Sequence, residues 1–368
     1  VALRKGSVEG VVMDNSFWHQ KNVLITGFTG FKGGWLTLWL QSLGAKVSGY
    51  SLDPPTTPSL FSSAGVGDDM VDMCQGDIGD LKNLLSYVDK VKPQIIFHLA
   101  AQPLVRYSYD NPVETYASNV LGTVHLLESV RLTDSVKVVV VVTSDKCYEN
   151  REWVWGYRED EPMGGYDPYS NSKGCAELVT AAYRNSYFNK ALYETHGVGL
   201  ATVRAGNVVG GGDWARDRLV PDAIKSFKDG QSVTIRNPMA VRPWQHVLDP
   251  LHGYIVLAEK LWVEGDQFSE AWNFGPDSES EKSVGWMVDK LVNLWGGPVA
   301  WNKDKLDQPH EACFLKLDSA KAKSRLGWKP KWNLDIGLKN VVEWYKAYYD
   351  GGNMKEHTLS QIKQYMES

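Results

Sequence analysis

Residues 22–34, NVLITGFTGFKGG, constrain the fold more than any other stretch of the chain. Asn22 to Thr26 is a short apolar run of the kind found in a buried parallel strand. A glycine-rich turn follows, and WLTLWLQSLG then reads as an apolar helix closed by Gly44. Lys46 to Leu52 reads as a second strand, so the opening is a βαβ unit. Gly27, Gly30 and Gly33 are spaced G-x-x-G-x-x-G. That spacing suits a tight turn whose backbone approaches a pyrophosphate, with free N–H groups of the helix start facing it. The bland alternative is a plain turn, and the strand–helix context weighs against it.

The alternation continues along the chain. Leu81–Val91 suits a helix, QIIFHLA a strand, Ser118–Leu132 a helix and KVVVVVT a strand. Ser172–Tyr187 reads as a long helix and Val198–Arg204 as another strand. The pattern predicts an α/β fold, a Rossmann-type doubly wound parallel sheet covered on both faces. After about residue 206 the loops lengthen, with helical stretches at Trp286–Trp295 and Leu334–Tyr349. Residues 13–206 are therefore expected to form a dinucleotide-binding domain that also carries the catalytic residues. Residues 207–368 are expected to be mainly a smaller C-terminal substrate-binding lobe, interleaved with the first. Residues 1–12 lack periodicity and read as an expression leader outside the fold.

Composition narrows the function classes. Of 368 residues, 43% are apolar and 23% charged, which excludes disorder as the main state. A net charge of -5 argues against a general polyanion binder, so no nucleic-acid partner is expected. No apolar run reaches the roughly 20 residues of a membrane helix, and no signal segment is visible. Cys74, Cys147, Cys175 and Cys313 are scattered with no CxxC pair, and the histidines show no metal spacing. A cytoplasmic protein with no bound metal is the expectation. Trp35, Trp39, Trp328 and Trp344 fall where packing is the simpler account of a tryptophan. Trp214 and Trp244 lie nearer the proposed site and receive no role.

An acid is expected about 20 residues beyond the glycine turn, to hold a ribose diol. Gly49-Tyr50-Ser51 occupies that stretch, and the nearest acid is Asp53. NAD is still preferred, because no arginine is placed to accept a 2′-phosphate. Lys32, inside the turn, keeps NADP open.

Tyr169 and Lys173 form a Tyr-x-x-x-Lys at a helix start, so both side chains share one face. A lysine ammonium there favours tyrosinate and makes a general base for a sugar hydroxyl. A surface Tyr–Lys pair is the alternative. Ser144 shifts the balance, because it follows the KVVVVVT strand at the carboxyl end, where open α/β sheets place their sites.

A Ser–Tyr–Lys trio on such a sheet resembles the short-chain dehydrogenase/reductase superfamily. The length, the G-x-x-G-x-x-G turn and the second lobe resemble its extended branch, which acts mostly on nucleotide sugars. The resemblance spans roughly residues 20–350. It includes Gly76-Asp77-Ile78, His98-Leu99-Ala100-Ala101, Asn119 and the late Leu326-Gly327-Trp328-x-Pro330. By this resemblance the cofactor would be held by Gly27, Thr29, Gly30, Phe31, Lys32, Gly33, Asp53, Asp77, Ile78, Leu99, Ala100, Ala101 and Asn119, with Tyr169 and Lys173.

Ser144-Asp145-Lys146-Cys147-Tyr148 narrows the branch. Nucleotide-sugar 4,6-dehydratases carry a hydroxyl residue, then Asp, then usually Glu at this place, and epimerases lack the acid–base pair. Lys146 replaces the usual Glu, a form similar to the dehydratases of CDP-D-glucose. Gly30-Phe31-Lys32-Gly33 and Ala101-Gln102-Pro103-Leu104-Val105-Arg106 resemble the same enzymes. The likeness implies synthesis of a deoxysugar of the O-antigen lipopolysaccharide kind. Tyr169 would take the C4 hydroxyl proton while hydride passes to NAD+. Lys146, neutral at that moment, would remove the C5 proton, and protonated Asp145 would help the C6 hydroxyl leave. Hydride would then return to C6, so the cofactor is not consumed. A strand-end ion pair is the plain alternative for Asp145 and Lys146.

For substrate, Arg242-x-Trp244-x-x-Val247-x-Asp249 resembles the second-lobe motif whose arginine clamps a diphosphate, and a guanidinium suits that task. A salt bridge from Arg242 to Asp249 is the alternative. Asn207, Leu219, Val220 and Arg236 complete the expected substrate set, with Gln102, Arg106 and His246. His246 could equally be packed. Cytosine is not legible from these residues. Rivals remain open: a dTDP- or GDP-hexose dehydratase, a 4-epimerase, a decarboxylase using Arg106, or a non-catalytic dinucleotide sensor. The resemblance also implies a homodimer through Ser118–Leu132 and Ser172–Tyr187, forming four helices at the interface. Whether dimers pair into a tetramer is open.

Overall fold

A computed structural model describes residues 16–304 and 314–368. The expected leader at residues 1–12 and Cys313 lie outside the described residues. Seven strands form one parallel sheet: β1 (Asn22–Thr26), β2 (Lys46–Ser51), β3 (Asp72–Gln75), β4 (Ile95–His98), β5 (Val138–Val142), β6 (Gly199–Ala205) and β7 (Ala271–Phe274). Their order is β7-β6-β5-β4-β1-β2-β3, with every neighbour parallel. The order reverses between β1 and β4. A crevice at the strands' carboxyl ends opens there, where ligands of open α/β sheets bind.

Alternation within each strand splits the core. Val23 and Ile25 of β1, with Val138, Val140 and Val142 of β5, pack on one face. Leu24, Val139, Val141 and Leu200 pack on the other. β1 and β5 are therefore apolar on both sides, as a doubly covered parallel sheet requires. The helix Phe31–Ser42 begins earlier than its apolar run suggested and is buried from Gly33 to Leu40. It lies between the sheet and a C-terminal helix, Met354–Glu367, whose Tyr365 meets Trp39 edge-on at 5.6 Å. Trp35, Trp39, Trp328 and Trp344 are all fully buried.

The long helix runs Pro168–Ser186, starting four residues before the expected Ser172. Asp167 caps it by accepting from the Ser170 amide at 2.9 Å, and Pro168 takes the first helical position. The helix expected over 118–132 is present and starts earlier, at Pro112, with a change of winding inside it. A single π-turn, Ala117–Leu121, separates Pro112–Tyr116 from Gly122–Arg131.

Beyond residue 206, Asn207–Val209, Val241–His246 and Glu281–Ser283 form a three-stranded sheet. Helices run at Leu219–Lys228, Leu248–Val263, Val284–Trp295 and Leu334–Tyr349. Leu248–Val263 packs against the main sheet and is buried on nearly every side. It carries no polar stripe, which is why periodicity did not find it. Among the described residues, no helix is long and apolar enough to cross a membrane, and no group of three His, Cys, Asp or Glu could hold a metal ion.

Candidate active site

The glycine turn forms a cradle that any added Cβ would fill. Gly27 has φ +75°, and a Cβ there would sit 2.7 Å from the Ala100 amide nitrogen. A Cβ on Gly33 would sit 2.2 Å from the Gly27 carbonyl oxygen. Gly30 caps the Phe31–Ser42 helix in extended conformation with no side-chain cap. The first-turn N–H groups are thus left for an anion. These residues fit a dinucleotide pyrophosphate. The Thr29 hydroxyl meets that of Ser51 at 2.7 Å and donates to the Leu52 carbonyl at 3.0 Å. Asp53 is exposed just past β2, where Gln75 donates to it at 2.7 Å. Asp77 turns the chain after β3, its carboxylate accepting from the Gly79 amide at 2.7 Å, and Ile78 is buried against Gly122.

Lys32 is placed differently from the sequence expectation. Its amine reaches the Tyr254 hydroxyl at 3.4 Å, and Tyr254 packs on Phe274 of β7. That is the β7 side of the sheet, away from the ribose edge at β2, so Lys32 is not the acceptor of a 2′-phosphate. Burial, Arg218 and Lys173 together lower Lys32 to about 7, against the opposing charge of Asp145.

Leu99, Ala100 and Ala101 follow β4, and the Thr26 hydroxyl accepts from the Ala100 amide at 3.2 Å. His98 lies between two threonines, with Nδ1 2.7 Å from Thr26 Oγ1 and Nε2 3.4 Å from Thr123 Oγ1. Thr123 gives its proton to the Asn119 carbonyl, so it accepts from Nε2–H. Burial lowers His98 to about 3, so the ring is neutral and Nδ1 is its acceptor. Asn119 occupies the π-turn. Its side chain accepts from the Gln102 amide at 2.8 Å, and donates to the Gln102 carbonyl at 3.0 Å and to Ser172 Oγ at 2.8 Å. The π-turn therefore joins the loop after β4 to the Pro168–Ser186 helix, a common use of such turns at functional sites.

Ser144 ends β5's extension and hands its hydroxyl to Asp145 Oδ1 at 3.0 Å, while accepting from the Lys146 amide at 3.2 Å. Asp145 is 2% exposed, and its Oδ2 has no hydrogen-bond partner. Burial raises its pKa, against Lys146, Ser144 and Arg242. Lys146 is half-buried beside it. Burial pushes the Tyr169 phenol up to about 12; its contact with the Ser144 hydroxyl and the Arg218 charge act the other way. Lys173 donates to the Val142 carbonyl at 3.3 Å, and burial lowers it to about 8. The strongest influences on Tyr169 thus come from Ser144, Asp145, Arg218 and Asp167, and the expected effect of Lys173 is not among them.

On the substrate side, Asn207 pairs in register with Trp244, two residues from Arg242 on the same strand. Strand alternation puts Asn207, Arg242 and Trp244 on one face. The Arg242 guanidinium is buried and its charge reaches Asp145. Asp249 is committed elsewhere, accepting from the Lys331 amide at 2.8 Å and the Tyr365 hydroxyl at 2.7 Å. Arg106 and Arg236 approach Asp217 at 3.4 and 3.8 Å. Leu219 is half-buried at the start of its helix.

Three expected substrate residues are reassigned to packing. His246 lies between Trp332 and Trp35, ring centroids 4.8 and 6.0 Å away, and burial lowers it to about 3. Val220 sits in the core. The Gln102 side chain accepts from the Leu104 amide and donates to the Leu104 carbonyl and Thr115, which leaves it turned to the protein. Arg218, held by Asp213 at 2.8 Å, is the residue the sequence reading missed. It follows no motif, and only the fold brings its charge to Tyr169 and Lys32.

Comparisons with known proteins agree with this geometry. A Salmonella typhimurium protein described as CDP-glucose 4,6-dehydratase is 57% identical over 357 residues, covering 97% of this chain and 99% of that one. An Arabidopsis thaliana protein described as UDP-glucuronate 4-epimerase 1 is 28% identical, covering 91% and 78%. A solved structure of dTDP-glucose 4,6-dehydratase from Bacillus anthracis, in complex with NAD, matches with a TM-score of 0.72 at 23% identity, covering 90% and 98%, which is a likeness of fold. A family profile described as GDP-mannose 4,6 dehydratase matches residues 24–341. That span takes in the glycine turn, Ser144–Lys146, Tyr169, Lys173 and Arg242 alike, and the chain belongs to the GDP-mannose 4,6 dehydratase family.

Proposed function

We propose that the protein converts CDP-D-glucose to CDP-4-keto-6-deoxy-D-glucose with NAD held through the cycle. Asp145 is the observation that carries this reading. A buried carboxyl with one unpartnered oxygen, raised in pKa and set beside Ser144 and Lys146, is suited to deliver a proton. A 4-epimerase has no water to expel and no use for such an acid. The choice of CDP rests on the 57% identical Salmonella protein, whose description names CDP-glucose.

Tyr169 takes the C4 hydroxyl proton, with Ser144 beside the phenol and the Arg218 charge favouring tyrosinate. NAD+, held in the glycine-turn cradle, would supply a reversible hydride store for C4 and C6. Oxidation at C4 acidifies C5–H, and Lys146 takes that proton. Asp145 gives its proton to the C6 hydroxyl, which leaves as water. Lys146 then returns a proton to C5. Tyr169 has gained one proton and Asp145 has lost one, so the net change is loss of water. Gly27, Thr29, Gly30, Phe31, Gly33, Asp53, Asp77, Ile78, Leu99, Ala100, Ala101 and Asn119 surround the cofactor. Arg242 holds the diphosphate, with Arg106, Arg236, Asn207 and Leu219 around the nucleotide.

Incubation with CDP-, dTDP-, GDP- and UDP-hexoses, scored for the ultraviolet absorbance of a 4-keto-6-deoxy sugar in base, tests the reading. Product from CDP-glucose alone is expected. No product from any of them would sink the dehydratase assignment, and turnover of dTDP-glucose instead would sink only the nucleotide.

We also propose a homodimer through the helices around 112–131 and 168–186. Val113, Leu121, Leu132, Leu178 and Tyr187 on or beside these helices are 81, 53, 55, 60 and 53% exposed, an apolar surface suited to a four-helix contact.

A further inference from the structure

The Pro168–Ser186 helix carries Tyr169, Lys173 and Glu177 at intervals of four, hence on one face. Glu177 is 4% exposed. Its Oε1 accepts from Thr143 and from Arg204 Nε at 2.9 Å. Its Oε2 accepts from Thr202 at 2.7 Å and from Arg204 Nη2 at 2.8 Å. Arg204 continues through Nη1 to the Tyr148 hydroxyl at 2.6 Å and the Glu159 carbonyl at 3.1 Å. Tyr148 in turn donates to Asn273 of β7 at 2.7 Å.

Thr143 immediately precedes Ser144, and Tyr148 closes the segment that holds Asp145 and Lys146. One buried ion pair therefore touches both segments that carry the proton-moving groups. We propose that Glu177, paired with Arg204, is a positioning residue that keeps Lys173 an ammonium and ties the Ser144–Tyr148 segment to the catalytic helix. This inference rests on the dehydratase reading of the site.

The electrostatics support it. Burial opposes the charge on Glu177, yet Arg204 and the threonine hydroxyls hold it below the usual carboxylate range. Burial lowers Lys173 to about 8, and Glu177 is the strongest group opposing that, followed by Cys147 of the Ser144–Tyr148 segment. Cys147 is itself raised by burial and is a neutral thiol. The other groups coupled to Lys173 give it no anion: His98 of β4 is neutral, and Lys32 of the Phe31–Ser42 helix repels it. Asp145, on the nearby segment, is raised toward its neutral form. Removing the Glu177 charge would leave Lys173 with no anion against its burial and the repulsion of Lys32. A merely structural pair is different, since apolar residues of like volume can replace it without loss.

Glu177→Gln is the test, read as the pH profile of C4 oxidation from NADH absorbance in a single turnover. The expected result is an alkaline limb moved toward lower pH by about one unit, a fall of about tenfold at a fixed pH above it. Glu177→Asp should return the limb toward the wild-type position. A uniform loss of rate or of Tm with the limb in place would overturn the proposal. If Glu177→Gln does not fold, Glu177→Gln with Arg204→Met leaves no stranded charge. It is read in the same way, with the limb again displaced if the proposal holds and fixed if it fails. Wild-type protein that forms no 4-keto product would instead refute the dehydratase reading before any variant is measured.

Discussion

Asp145 and Lys146 are adjacent in sequence and meet different surroundings: the acid is shut in, and the amine keeps partial access to solvent. That asymmetry fits the proposed roles, Asp145 as proton donor and Lys146 as proton acceptor of the elimination. Lys146→Ala should keep C4 oxidation and stall afterwards, so that NADH absorbance accumulates under substrate while turnover falls by about 10²–10⁴-fold. Product formation at the wild-type rate would remove Lys146 from the chemistry. The positions of these residues were legible in the sequence, because Ser144–Lys146 and Tyr169–Lys173 are local patterns at a strand end and a helix start. Arg218, Arg204 and Glu177 were not legible as a set. Arg204 lies on β6, Glu177 on the Pro168–Ser186 helix and Arg218 just before the Leu219–Lys228 helix, and they gain meaning only when these elements are packed together.

At the scale of elements, apolar periodicity located β1, β2, β4, β5 and β6 to within a residue or two. It failed at β3, where Asp72–Gln75 is short, polar and only partly covered. It also failed at the Leu248–Val263 helix, which is buried on nearly every side and shows no stripe. The glycine turn was legible because steric crowding leaves no other residue a place. Gly33→Ala should accordingly lose most NAD binding by calorimetry, since its Cβ would press on the Gly27 carbonyl. Retained affinity would show that the helix can shift. Asp167 was not read from the sequence as a cap, and its bond to the Ser170 amide fixes the turn that bears Tyr169. Asp167→Ala should lower stability by about 1 kcal/mol in urea unfolding. A larger drop in C4 oxidation than in stability would show that the cap also orients Tyr169.

For the molecule as a whole, Asp249 is where later chain segments converge. Its carboxylate accepts from Lys331 and Tyr365, its backbone carbonyl takes Trp328 Nε1 at 3.1 Å, and its Oδ2 is unpartnered. Burial raises Asp249 to about 7, so the folded protein keeps a proton that the unfolded chain releases above the ordinary carboxylate range. Stability from this group is present below that range and declines as pH rises toward 7. Asp249→Asn retains the accepting oxygen and removes the charge. Its Tm should exceed that of wild type at pH 7 by more than at pH 4, and a pH-independent difference would contradict this. Leu178→Glu, on the exposed helix face, should shift sedimentation from dimer to monomer if the four-helix contact forms.

The seventh strand has a consequence for synthesis. β6 is buried along its whole length, and its outer edge is covered by β7, residues Ala271–Phe274. On the ribosome, a nascent chain that has emerged only as far as β6 bears an apolar, unpaired strand edge. More than sixty further residues must leave the exit tunnel before that edge can close. Truncation or pausing between β6 and β7 should therefore yield aggregating chains rather than a soluble nucleotide-binding half.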